Sequence, residues 1–136
     1  MKFLSTLAAS AAAASLVLAT PASAKDDDLS YETVTRCAAF NLLLAQVYGA
    51  GDGADKAKVD LYTDQAASLM VIATMMTSAG DDAVAADIKK QNAAMLDMIS
   101  DDKATDKLLN DNLEECTNLG QAAKEVLDEQ TSKDKK

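Results

Sequence analysis

Residues 29–53 read LSYETVTRCAAFNLLLAQVYGAGDG, and this stretch decides the fold class. Leu29, Thr33, Cys37, Phe40, Leu44 and Val47 recur three or four residues apart, which places them on one face of a helix over 29–48. Asp28 or Ser30 can cap its start, because a short oxygen-bearing side chain satisfies the free N–H groups of a first turn. Gly49-Ala50-Gly51-Asp52-Gly53 then breaks the helix.

The same spacing recurs three more times downstream. Over 55–79 the stripe is Val59, Tyr62, Ala66, Leu69, Ala73 and Met76, with Gly80 placed where a helix-ending glycine belongs. Over 82–99 it is Val84, Ile88, Gln91, Met95 and Ile99, with Asp81 and Asp82 as cap candidates. Over 105–129 it is Leu109, Leu113, Cys116, Gly120, Ala123 and Leu127, with Thr105 as the expected cap. No segment alternates apolar and polar residues with the period of two that a strand needs. Four helices with short connections lead to an all-α, up-down-up-down four-helix bundle. The alternating steps of three and four suit left-handed packing near +20°. Gly120 has two readings, close approach of a neighbouring backbone or a tolerated interior glycine. Residues 130–136 are charged and lack apolar side chains, so a frayed tail is expected.

Upstream of residue 29 the chain reads as an address. Lys2 supplies a positive start, Phe3 to Ala19 is apolar and alanine-rich, Pro21 breaks the run, and Ala22-Ser23-Ala24 fits a small-x-small cleavage site. Residues 1–24 are therefore expected to be a secretory signal peptide cleaved after Ala24, leaving 25–136 as a single bundle domain. The apolar run is shorter than the ~20 residues that span a bilayer, so no membrane span is expected in the mature chain. No Cys stands at position 25 and no Arg pair precedes the run, which points to general secretion without a lipid anchor. The expected location is periplasmic or secreted.

The 136 residues carry 22 acidic and 13 basic side chains, a formal charge of −9, and no His. Lys2 is the one charged residue in 1–24, so the mature 112 residues hold 12 basic and 22 acidic groups, a net of −10. An acidic protein of this kind is a poor partner for nucleic acid or anionic lipid. The absence of His closes Ser-His-Asp and Cys-His catalysis, His-ligated haem and the common zinc sites. Phosphate-binding, nucleophile-elbow and dinucleotide patterns are also missing. The expectation is a non-enzymatic protein with no cofactor.

Two cysteines allow one intramolecular bond. Cys37 and Cys116 lie mid-stripe on the first and last expected helices, which are antiparallel neighbours in an up-down bundle. Export to an oxidising compartment and the absence of a C-x-x-C pair favour a structural disulfide over a reactive dithiol.

Acidic residues offer the one candidate cation site. In an up-down bundle the first and third connections share an end, which would gather Asp52 and Asp55 with Asp101, Asp102 and Asp106. The EF-hand pattern is absent, and first-turn or solvated turn residues are the competing reading. Five methionines remain in the mature chain, Met70, Met75, Met76, Met95 and Met98. They read mostly as flexible core filler between alanine-rich helices, with a Met-lined groove as the functional alternative.

The profile is similar to that of acid-stress periplasmic chaperones, being short, exported, helical and carrying one cystine. The similarity is one of composition and covers no motif. It implies a chaperone whose net charge swings from −10 to about +12 near pH 2, loosening the bundle. The expected function is thus an exported helical protein binding a partner or small ligand in the cell envelope. A pH-responsive chaperone and a cation-binding protein are the alternatives. The identity of the partner or ligand, and the oligomeric state, are not written in the sequence.

Overall fold

The computed structural model describes residues 29–135; the expected signal peptide lies outside the described residues. Four helices make up the fold, α1 Tyr31–Gly49, α2 Lys56–Met75, α3 Asp81–Met98 and α4 Asp102–Asp134. No strand occurs among the described residues.

Local chemistry sets the boundaries. Ser30 caps α1 by accepting from the Thr33 N–H. Asp55 caps α2 by accepting from the Lys58 N–H. The helix ends at Met75, four residues earlier than expected. Gly80 belongs to α3 instead: it is the N-cap, with φ of 89°, a value that glycine adopts without strain. Asp81 and Asp82 are first-turn residues of α3, where their charge suits the helix dipole. Asp101, not Thr105, caps α4, accepting from both the Lys103 and Ala104 N–H groups. The helix therefore starts three residues early. Its far end also exceeds expectation. The stretch expected to fray is helical to Asp134, and the Thr131 and Ser132 hydroxyls donate back to the Leu127 and Asp128 carbonyls.

α1 is the centre of the molecule. From Val34 to Ala45 every residue except Arg36 and Leu42 is buried. A helix apolar on all sides belongs inside a fold, and Ala38, Ala39, Leu42 and Leu43 fill the sides between the expected stripe positions. α2, α3 and α4 each pack on α1, and α2 also packs on α4. α3 barely touches α2 or α4. The expected side-by-side pairing of α2 with α3 is therefore replaced by docking of α3 onto α1.

A second correction concerns α1 and α4. Arg36 reaches Asn112 and Glu115, Cys37 meets Cys116, and Asn41 meets the Cys116 carbonyl and Gly120. The partners advance together along both helices. Lengthwise antiparallel neighbours would show the reverse order, so α4 crosses α1 instead of lying alongside it in that way. The crossing is close because Gly120 has no side chain. A Cβ there would stand 2.9 Å from Gln65 Cβ and 3.2 Å from Asn41 Nδ2. Of the two readings of Gly120, close approach is the one the packing supports.

The expected stripes hold in their middles and fail at their ends. Leu29, Val47, Met76 and Ile99 are exposed. On α4 the buried row is Leu108, Asn112, Cys116, Gly120 and Ala123, so it enters one residue earlier than expected and leaves Leu113 exposed.

Candidate functional site

Three places hold the chemistry of this molecule. The first is the crossing of α1 with α4. Cys37 and Cys116 are bonded, with Cα atoms 4.7 Å apart and both side chains fully buried. Asn41 sits one turn beyond Cys37 and donates to the Cys37 carbonyl at 2.9 Å and the Cys116 carbonyl at 3.0 Å. Both of its N–H bonds are thereby used. Its Oδ1, and the Oε1 of Gln65 on α2, are buried without a protein partner. On the outer side Arg36 donates to Asn112 and to Glu115, the latter at 3.0 Å. That ion pair is about one-third exposed on each side, so it contributes on the order of 0–1 kcal/mol.

Glu115, Cys37 and Cys116 are the one set of three metal-capable residues whose donor atoms converge among the described residues. The disulfide consumes both sulfurs, so the set offers one carboxylate and no thiolate. The acidic candidates do not converge. Among the described residues no three of Asp52, Asp55, Asp101, Asp102 and Asp106 bring carboxylates within 4.8 Å of one another. Asp55 and Asp101 are engaged as helix caps.

The second place is the contact of α3 with α1, which is ordered by polar side chains. The Tyr31 hydroxyl donates to Asp87 at 2.7 Å, Gln91 Nε2 donates to Thr35 Oγ1 at 2.9 Å, and Asn92 Nδ2 donates to the Ala39 carbonyl at 3.1 Å. The bond to Asp87 holds the Tyr31 phenol above its ordinary value of 10.0. Across from it, α1 and α2 close as a hairpin. Tyr48 and Tyr62 stack with ring centroids 5.7 Å apart, and Lys58 Nζ lies 4.4 Å from the Tyr48 ring centre. Burial raises the Tyr62 phenol above 10.0, the Tyr48 neighbour adds to this, and Lys58 opposes it.

The third feature is a set of exposed apolar residues at two separate helix ends. Val71 and Met75 lie one turn apart on α2, and Met76 follows at its end. Leu96, Met98 and Ile99 are exposed at the end of α3. The methionines thus depart from the core-filler expectation. Met95 is buried and Met70 packs against the core, but Met75, Met76 and Met98 face solvent, Met75 with 65% of its surface exposed. On α2 the inward side of the last turns is taken by Leu69, Met70, Ile72 and Ala73, which leaves Val71 and Met75 on the outward side.

Sequence reasoning found the cysteines and missed the amides. Asn41, Gln65, Asn92 and Asn112 are all buried. The available signal was Asn41 within an otherwise apolar Cys37–Ala45 run, where a residue of poor helix propensity needs a tertiary partner.

No arrangement of nucleophile, base and oxyanion donors occurs among these groups. Compared with known proteins, the chain matches no family model, no curated protein and no solved structure.

Proposed function

We propose that this chain is an exported, non-enzymatic helical protein that binds an apolar partner or small ligand in the cell envelope. The observation that carries the reading is the exposed apolar end of α2, with Val71, Met75 and Met76, where Met75 leaves 65% of its surface open. Methionine suits such a surface because its unbranched thioether adapts to irregular partners. Export is supported by the signal-like residues 1–24 and by a fully buried disulfide, a bond that persists in oxidising compartments. The location in this reading is periplasmic or secreted, with cleavage after Ala24.

Native mass spectrometry of the protein isolated from its own cell envelope tests this. A bound small molecule or second chain is expected, and it is lost in V71D and M75D variants that keep the helical circular dichroism of the parent. A bare monomer, or a companion mass unaffected by both substitutions, contradicts the reading.

A further inference from the structure

We propose that the Cys37–Cys116 disulfide is the oxidised form of a metal site, and that the reduced chain binds one zinc ion through the Cys37 and Cys116 thiolates and the Glu115 carboxylate. The donor atoms of these three residues lie within 4.8 Å of one another, and among the described residues no other three acidic or cysteine side chains converge so closely. Two thiolates and a carboxylate are a donor set that zinc takes, with water completing the tetrahedron. Zinc holds sulfur at about 2.3 Å, so the two sulfurs must part to about 3.7 Å. The Cα atoms are 4.7 Å apart, and from there rotation about the two Cα–Cβ bonds can open that gap while the helices stay in place.

The frame around the site does not depend on the bond between the sulfurs. Asn41 Nδ2 donates to the Cys37 carbonyl at 2.9 Å and to the Cys116 carbonyl at 3.0 Å, which ties the two residues through their backbones. Arg36 donates to Asn112 and, at 3.0 Å, to Glu115 Oε2, which aims the carboxylate and leaves it a second oxygen. Bonds of this kind orient a ligand before the metal arrives. The charges also balance. Two thiolates, one carboxylate and Zn2+ sum to −1, and the Arg36 guanidinium brings the group to zero. Both cysteines are fully buried, whereas Glu115 and Arg36 reach the surface, so the ion has an entry on their side. Two molecules of a low-molecular-weight thiol give two electrons and two protons to the Cys37–Cys116 bond and leave as their own disulfide. Zn2+ then displaces both protons from the protein thiols. Oxidation returns the two electrons and releases the ion, so the ratio of thiol to disulfide around the chain decides whether the crossing carries metal. The proposal goes beyond the binding reading above, since it concerns the crossing of α1 with α4 and not the end of α2.

Titration of the isolated chain, reduced with a phosphine, against Co2+ tests the site. Cobalt occupies zinc sites and reports on them through a thiolate charge-transfer band and the visible absorption of a tetrahedral ion. One Co2+ per chain with both signals is expected, displaced by Zn2+, and the oxidised chain is expected to give neither signal. E115Q is expected to weaken binding by about tenfold or more, since losing a group that only supports a ligand already costs that much. E114Q, which alters the exposed neighbour outside the set, is expected to bind like the parent. If reduction unfolds the chain, helical circular dichroism decides: Zn2+ is then expected to restore the helices at one ion per chain, and not to do so in C37S. No charge-transfer band, equal affinity of the parent and E115Q, one ion shared between two chains, or a reduced chain that stays unfolded with Zn2+ overturns the proposal. The V71D and M75D variants are expected to bind Co2+ like the parent, which keeps this outcome separate from the fate of the exposed residues on α2.

Discussion

Gly120 is the residue on which the packing turns. Alanine would improve helix propensity by about 1 kcal/mol. Its Cβ would press on Gln65 Cβ at 2.9 Å, an atom next to the α2 backbone that cannot swing aside. Overpacking of this kind costs roughly 1–3 kcal/mol, so G120A is expected to be destabilising on balance, by about 1 kcal/mol in urea denaturation. An unchanged or raised midpoint would place α4 farther from α2 than described. Gln65 itself is the weak point of the crossing, because its buried Oε1 has no protein partner. Methionine has a similar length and no acceptor to leave unpaired. Q65M is therefore expected to stabilise the fold by about 1 kcal/mol on the same assay. Cys37, Cys116 and Gly120 were legible in the sequence as stripe residues. Asn41 and Gln65 were not, because a pattern of apolar spacing is silent about polar side chains buried where helices cross.

At the scale of elements, helix existence was legible and helix ends were only partly so. The starts of α1, α2 and α4 follow side-chain caps, but the cap of α4 is Asp101 and not the expected Thr105. Asp101 accepts from two backbone N–H groups, so D101A is expected to cost about 1 kcal/mol, read as a lower melting temperature. The stacked hairpin of α1 and α2 gives a pH dependence. Burial raises the Tyr62 phenol above 10.0, so the folded chain holds this proton more tightly than the unfolded chain does. The resulting stabilisation is complete below pH 10 and is lost as pH rises through the folded value. The melting temperature is expected to fall as pH rises above 10, and to fall less in Y62F. The Tyr31 phenol, raised by its bond to Asp87, adds to the loss in the same direction. A profile that is flat over this range, or unaltered in Y62F, contradicts the burial of Tyr62.

For the whole molecule, the class of fold was legible and its assembly was not. Local spacing dictates where helices form, but which helix a given stripe faces depends on loop geometry and on close crossings such as that at Gly120. The sequence has four similar stripes and does not rank them. The structure ranks α1 first, since it alone is buried all round. Among the described residues no three of Asp52, Asp55, Asp101, Asp102 and Asp106 bring carboxylates within 4.8 Å of one another, and Met75 and Met76 are exposed. The disulfide then stabilises the assembly by tying α1 to α4 across 79 residues of sequence. Loss of a loop of that length raises the entropy of the unfolded chain enough to cost about 4.5 kcal/mol. Reduction is expected to lower the urea midpoint accordingly while leaving the chain helical in native buffer. The proposed export of this disulfide-bonded bundle is tested most directly by the intact mass of the protein recovered from cell envelopes and alkylated without reductant. The expected mass is that of residues 25–136 less two hydrogens, with no alkyl group added. A chain that retains residues 1–24 and carries two alkylated thiols would contradict it.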